Sequence, residues 1–162
     1  MTTGAKQPLP LPAGDPCHFC EIIGGRGSRW NVVEETPVTV LNGRQFEIGQ
    51  CIIVTRRHAP TLLDLDAPEA TAVMAAAQRL MRVMIEAYAP DGVLLYQNNG
   101  TGSGQEVPHF HVHVVPRREG SDWGMGPAHI ARLEGGKRPL HLDHRQVTDA
   151  KLATAAELRA RL

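Results

Sequence analysis

Residues His109 to Pro116 read His-Phe-His-Val-His-Val-Val-Pro, and this octapeptide carries most of the functional information in the chain. Its three histidines, His109, His111 and His113, alternate with apolar residues. Because successive side chains of an extended strand point to opposite faces, the imidazoles are predicted to line one face while the apolar residues enter the core. Imidazole is the side chain that acts as nucleophile, proton shuttle or metal ligand near neutral pH. The pattern therefore predicts a functional site on a β-strand.

Length and composition limit the class of protein. The 162 residues suit one domain with a real hydrophobic core. Lys plus Arg and Asp plus Glu both number 17, so neither nucleic acid nor an anionic membrane is an expected partner. Apolar runs are far shorter than the roughly 18 residues that span a bilayer. The three cysteines do not make an extracellular disulfide framework, and the predicted location is cytoplasmic.

The order of predicted elements indicates the fold class. The predicted strands cover residues 30–34, 38–41, 50–55 and 93–97, in addition to the histidine strand. The best helix runs from Ala67 to Ala89, with Asp66 as N-cap and Glu69 at the capping-box position. A glycine-rich turn over 98–104 joins the last two strands as a hairpin. Several strands, one long helix and a hairpin predict an α+β fold with an antiparallel sheet.

The chain divides into three expected segments. Residues 1–16 are rich in Pro and Gly and are predicted to be a disordered leader. Residues 17–118 form the predicted domain. Residues 119–162 are a C-terminal extension, in which Thr148 would cap a short helix that packs on the domain through residues such as Leu158.

Cys17 and Cys20 form a Cys-x-x-Cys pair, which is typical either of a redox site or of a zinc site. A structural zinc ion needs four tetrahedral ligands, so the other two would be histidines that the fold brings near. His58, which follows a predicted strand, and one histidine of the triad are the candidates. Spacing alone does not choose among the eight histidines of the chain.

Several segments together resemble the histidine triad (HIT) superfamily. The triad segment matches the pattern in which histidines alternate with apolar residues, and Asn98 to Gln105 precede it as in that family. The segment Cys17-His-Phe-Cys-Glu-Ile-Ile23 is similar to the opening of the zinc-containing Hint-like branch. Asn42 and the run Ile52 to His58 match that branch as well. The resemblance covers about residues 17–118.

The resemblance implies a fold and an activity. The family has an α+β fold with a five-stranded antiparallel sheet and one long helix, and its members are usually homodimers. In this chain we expect a short C-terminal helix in addition. Its members hydrolyse or transfer nucleoside monophosphate groups from phosphoramidates, dinucleoside polyphosphates or nucleotide sugars. The partner expected from the resemblance is thus a small nucleotide substrate. A dinucleoside polyphosphate hydrolase and a nucleotidyltransferase are the nearest alternatives.

The resemblance also implies residue roles. The middle histidine, His111, attacks the α-phosphorus, and His113 binds the phosphate. Gln105 and Asn98 match phosphate-contacting amides, Gln105 being counted with the catalytic residues, and Asn42 matches the ribose-binding position. In zinc-containing relatives the ligands match Cys17, Cys20, His58 and His109. This is a Cys₂His₂ set, consistent with a structural Zn²⁺ ion.

Chemistry alone leaves further possibilities open. A histidine bonded to zinc cannot offer the same lone pair to phosphorus, so if His109 binds metal the attack falls to His111 or His113. A catalytic metal held by all three histidines is disfavoured, because their outer Cα atoms on one strand would be roughly 13 Å apart at about 3.3 Å per residue. A nucleotide-binding regulatory protein with incidental hydrolysis is a third class, since a complete site does not reveal the cellular activity.

Four positions depart from the family pattern or extend it. Gln50 and Thr55 replace a frequent His and Pro, and neither is expected to affect function much. Glu106 stands where the well-known eukaryotic phosphoramidases have serine, and its carboxylate is expected to repel an anionic leaving group. Trp123, after the triad strand, is a candidate pocket wall.

Overall fold

A computed structural model of the chain describes residues 9–26, 32–35, 38–41, 47–120 and 156–162. The elements in chain order are α1 (His18–Ile23), β1 (Val32–Glu35), β2 (Val38–Leu41), β3 (Cys51–Val54), α2 (Ala67–Tyr88), β4 (Gly92–Tyr96) and β5 (His111–Arg117). Residues 156–161 are also helical. Among the described residues, no helix has both the length and the apolar character needed to cross a membrane.

The strands of the described ranges form one antiparallel sheet in the order β1-β2-β3-β5-β4. The histidine strand β5 therefore lies inside the sheet, between β3 and β4. In the register, Val54 is opposite His111 on one side and Tyr96 is opposite His113 on the other. The α+β class, the antiparallel sheet and the hairpin of β4 with β5 agree with the sequence prediction.

The two faces of the sheet bury different partners. On one face, Ile53 and Val112 pack against the buried side of α2. On the other face, Ile52 and Val54, which pair with His113 and His111, pack against Cys17, Phe19 and Ile22 around α1. The predicted alternation along the octapeptide thus separates core from site. His109 differs in position, because β5 begins at His111 and His109 lies in the loop before it.

Helix α2 begins and ends where local chemistry dictates. The Asp66 carboxylate accepts a hydrogen bond from the Glu69 backbone N–H (2.8 Å), and the Glu69 carboxylate accepts one from the Asp66 N–H (3.1 Å). These bonds satisfy two donors at the helix start. Ala89 adopts a left-handed conformation (φ 41°) and ends the helix, and Pro90 follows. The capping predicted for this helix is confirmed.

Residues 9–16, which belong to the expected leader of residues 1–16, contact the 100–108 loop. The Pro10 carbonyl accepts a hydrogen bond from the Thr101 N–H (2.9 Å). Gly100 has a φ of 80°, and a Cβ there would lie 3.1 Å from the Pro10 oxygen, so the contact depends on glycine. Proline restricts the backbone of this segment, which lowers the entropy lost when it is held against the 100–108 loop.

The helical residues 156–161 place one side chain in the core. Leu158 is fully buried in the cluster between α2 and the sheet. Thr148, the predicted cap of this helix, lies outside the described residues.

Candidate active site and metal centre

Four predicted ligands come together at the end of the sheet beside α1. Cys17 and Cys20 stand at the N-terminus and in the first turn of α1, His58 follows β3, and His109 precedes β5. One donor atom from each residue lies within 4.8 Å of the others. The Sγ–Nδ1 distances are 3.5 Å for Cys17–His109, 3.3 Å for Cys20–His58 and 3.5 Å for Cys20–His109.

These distances fit a tetrahedral zinc site. With Zn–S bonds of about 2.3 Å and Zn–N bonds of about 2.0–2.1 Å, ligand S and N atoms are about 3.6 Å apart. Burial and the adjacent Cys17 raise the pKa of the Cys20 thiol to about 11. A cation would offset the charge of two adjacent thiolates, which is the usual role of zinc in a Cys₂His₂ set. The residues present therefore fit the implied ion.

The hydrogen bond made by the Nε2 of His109 determines that its Nδ1 is the ring nitrogen available to the cluster. Its Nε2–H donates to the Thr55 carbonyl (2.9 Å), so Nδ1 carries the lone pair directed at the two sulfur atoms. The ring is fully buried, and burial lowers its pKa to about 4. A hydrogen bond of this kind orients a metal-binding imidazole.

His111 has the tautomer that a nucleophile needs. Its Nδ1–H donates to the His109 carbonyl oxygen at 2.8 Å, which leaves the lone pair on Nε2. Burial lowers the pKa of the ring, so the neutral form is present at pH 7. The Phe19 ring meets His111 edge-on at 5.2 Å between centroids and restricts its rotation. His111 thus presents an unprotonated nitrogen on a fixed ring.

His113 lies next to His111, with ring centroids 5.0 Å apart. The Tyr96 ring stacks on it at 4.3 Å and 8°, and the Gln50 Nε2 lies 3.4 Å from its Nδ1. Burial lowers the pKa of His113 to about 3. At neutral pH this ring is an uncharged hydrogen-bonding group.

Gln105 and Asn98 belong to the loop that leads into His109. The Gln105 Nε2 donates to the carbonyls of Pro60 (2.7 Å) and Val107 (2.9 Å), and its Oε1 accepts from the Gly100 N–H (2.6 Å). Gln105 therefore braces the loop, and a direct contact of its amide with phosphate would require these bonds to be exchanged. The Asn98 amide reaches the Gly104 carbonyl only weakly, at 3.4 Å.

Glu106 lies exposed in the same loop. Its negative charge favours the protonated forms of Tyr96 and His111. Burial raises the pKa of Tyr96, and the charge of Glu106 adds to that effect. Burial lowers the pKa of His111 overall, and the charge of Glu106 opposes that effect. The carboxylate is therefore close enough to His111 to influence charge in the site. Asn42 and Trp123 lie outside the described residues.

Sequence reasoning missed three contributors. Gln50 and Thr55 were expected to have little effect, yet they contact His113 and His109, and Tyr96 was not singled out. Gln50 has the same parity as Ile52 and Val54, so it shares the histidine face once β3 pairs with β5. This shared parity is the sequence feature that could have placed Gln50 beside the histidines. Tyr96 could be found only from the register of β4.

Comparison with known proteins agrees with this geometry. The HIT domain family matches residues 38–120. A HIT-like protein of Mycobacterium tuberculosis is 35% identical over 121 residues, which cover 74% of this chain and 83% of that protein. The adenylylsulfatase HINT3 of Arabidopsis thaliana is 28% identical over 104 residues, or 64% of this chain and 53% of that protein. A bis(5'-adenosyl)-triphosphatase of Dictyostelium discoideum is 32% identical over 85 residues, or 52% and 57%.

Two solved structures are similar over most of the chain. A Zn-bound histidine triad family protein from Mycobacterium smegmatis has a TM-score of 0.68 and 26% identity, covering 90% of this chain and 91% of that one. A HIT-like protein from Bartonella henselae has a TM-score of 0.70 at 21% identity, covering 94% and 100%. The first carries the metal that the Cys₂His₂ cluster suggests here, and the second supports the fold.

Proposed function

Because this chain belongs to the HIT domain family, we propose that it is a hydrolase of nucleoside 5′-monophosphate derivatives that works through a nucleotidyl-histidine intermediate. The scissile linkage is a phosphoramidate or a related P–N or P–O bond. One observation carries the proposal: the hydrogen bond from His111 Nδ1 to the His109 carbonyl leaves a neutral Nε2 as the nucleophile. Neighbouring histidines without this tautomer would be compatible with a protein that binds nucleotides but does not cleave them.

The reaction takes two displacements at the same phosphorus. In the first, the Nε2 lone pair of His111 attacks the α-phosphorus, and the bond to the leaving group breaks with its electron pair. The leaving group is released with a proton taken from the solvent, which the attacking water gives back in the second step. In the second, water attacks phosphorus, the P–N bond to His111 breaks, and the water protons go to the solvent. The products are a nucleoside monophosphate and the free leaving group.

Neutral hydrogen-bond donors hold the phosphate in this proposal. His113 and the Asn98 amide donate to phosphate oxygens, and Asn42 binds the ribose hydroxyls. Gln105 either contributes its amide after rearrangement or acts by holding the loop in which it is buried. Fixed dipoles of this kind stabilise developing charge without reorganising during the reaction.

Zinc has a structural role in this proposal and is held by Cys17, Cys20, His58 and His109. Four protein ligands complete a tetrahedral shell and leave no position for substrate. What the ion supplies is a fixed position for His109, whose carbonyl orients His111. A catalytic metal shared by all three histidines is disfavoured, since the available nitrogen of His109, Nδ1, is already directed at the sulfur atoms of Cys17 and Cys20.

The leaving group separates two candidate substrate classes. Burial lowers the pKa of His111 overall, but the nearby charge of Glu106 acts in the opposite direction, so this carboxylate is close enough to oppose a polyphosphate leaving group as well. An amine leaving group is not repelled. We therefore place phosphoramidates first, and dinucleoside polyphosphates second because one similar protein is named a bis(5'-adenosyl)-triphosphatase.

We also propose that the chain is a homodimer. In the described sheet β4 is an edge strand. An exposed edge offers unpaired backbone groups, and pairing with a second copy would satisfy them.

The test compares the wild type with His111→Ala on adenosine phosphoramidate and on diadenosine polyphosphates. We expect turnover by the wild type, a loss of at least about 10³-fold in the variant, and an adenylyl group on His111 detected by mass spectrometry after rapid acid quench. His18→Ala, an exposed histidine near the metal site, is the matched control. Full activity of His111→Ala, or an adduct on another residue, contradicts the mechanism. Nucleotide binding without turnover on any substrate would favour the regulatory class instead.

A further inference from the structure

Gln50 is a buried amide at a position where the surrounding chain is apolar. It is 0% exposed and directly precedes β3, whose four residues are all buried. A buried amide is costly unless it is hydrogen-bonded. Its Nε2 lies 3.4 Å from the Nδ1 of His113. The side-chain amide of Gln50 therefore lies against the Nδ1 edge of the His113 ring.

Tyr96 holds the same imidazole from another direction. It is directly opposite His113 in the pairing of β4 with β5, and the two rings stack nearly parallel at 4.3 Å. Stacking sets the plane of the imidazole but does not distinguish its two nitrogens. Gln50 makes that distinction, because an amide N–H needs an acceptor and can donate only to an unprotonated nitrogen.

We propose that Gln50 is a positioning residue that holds the proton of His113 on Nε2. The Gln50 amide N–H donates to Nδ1, so the remaining ring proton must lie on Nε2. The ring of His113 is 5.0 Å from that of the nucleophile His111, and its Nε2–H is then a donor for an oxygen of the phosphate under attack. This inference rests on the proposed function for its catalytic consequence but not for the tautomer itself.

The opposite tautomer would be unproductive. With the proton on Nδ1, the lone pair of Nε2 would face the phosphate oxygens, which also carry lone pairs and negative charge. Loss of a partner that sets an imidazole tautomer costs roughly 10- to 100-fold in metal sites, and a comparable loss is expected here. Because the effect concerns the transition state, it falls on kcat more than on KM.

The test uses full-length protein labelled with ¹⁵N-histidine, with the His113 signals identified by their absence in His113→Ala. In the wild type we expect Nδ1 of His113 to be unprotonated and Nε2 to carry the proton. Gln50→Met keeps the side-chain length but removes the donor, and should mix the tautomers and lower kcat about tenfold with KM nearly unchanged. Gln50→His retains an N–H donor and should restore both. Gln78→Met, on the exposed side of α2, is the matched control.

Each outcome decides the proposal. A wild-type His113 with its proton on Nδ1 overturns it, even if neither Gln50 variant folds. A Gln50→Met protein with an unchanged tautomer and kcat overturns it as well. If the wild type hydrolyses none of the nucleotide substrates, the proposed function fails, whereas the ¹⁵N signals still decide the role of Gln50.

Discussion

Replacing His58 by glutamine tests the metal centre most directly. His58 supplies one of the four donors and is exposed, so its loss creates no cavity in the core. Structural zinc contributes roughly 10–16 kcal/mol of apparent binding free energy in small zinc domains, or about 2.5–4 kcal/mol for each of four ligands. For a chain of this length, 1 kcal/mol corresponds to about 2–4 °C in Tm. We therefore expect His58→Gln to lower Tm by roughly 5–15 °C.

The assay is thermal unfolding with and without a chelator, together with the zinc content per chain. The wild type should lose stability when the chelator is added, while His58→Gln should begin at a lower Tm and respond less. His18→Gln is the matched control, because His18 is exposed beside Cys17 but contributes no donor to the cluster. It should behave like the wild type. If His58→Gln retains one chelator-resistant zinc and an unchanged Tm, His58 is not a ligand and the Cys₂His₂ assignment is wrong.

Three further predictions follow from burial and charge. Burial lowers the pKa of His113 in the folded protein to about 3 from 6.5, so the stability that the neutral ring contributes is complete above pH 6.5 and declines by up to about 1.4 kcal/mol per pH unit below it. The free energy of unfolding, measured with denaturant between pH 7 and 5, should therefore fall less steeply with decreasing pH in His113→Gln than in the wild type. An equal pH dependence in the two proteins would contradict the shift. Glu106→Gln should raise the rate on diadenosine polyphosphates relative to adenosine phosphoramidate by roughly 1.4- to 5-fold, in line with about 0.2–1 kcal/mol for an exposed charge interaction, and an unchanged ratio would remove Glu106 from leaving-group selection. Leu158→Ala should cost roughly 2–5 kcal/mol in urea unfolding, because Leu158 is fully buried, whereas the exposed Leu162→Ala should be near neutral.

The sequence was most informative where local pattern and local structure coincide. The alternation in the octapeptide separated Val112 from His111 and His113 correctly, and the capping residues Asp66 and Glu69 placed the start of α2. Both features depend on residues that are neighbours along the chain. The resemblance to the histidine triad superfamily is likewise confirmed, since it depends on short motifs in a fixed order.

Very short elements and contacts between distant residues could not be predicted from the sequence. Helix α1 has six residues and no side-chain cap, so its pattern is too short to be distinguished from a loop. Residues 9–16 resemble a linker in composition, and their attachment to the loop before β5, through the hydrogen bond from Thr101 to Pro10, is visible only in the structure. The amide of Gln105 looks free to bind phosphate until its three backbone partners are known.

His109 links the candidate metal site to His111, the proposed nucleophile. Its Nδ1 faces the two cysteine sulfur atoms, its Nε2–H donates to Thr55, and its carbonyl accepts the Nδ1–H of His111. Three separate groups of one residue thus join the candidate metal site, the end of β3 and the ring of His111. A shift of the His109 backbone would weaken the bond that keeps the lone pair of His111 on Nε2. In the proposed mechanism, an ion held by this cluster would take no part in the chemistry and would act on His111 only by holding the carbonyl that orients it.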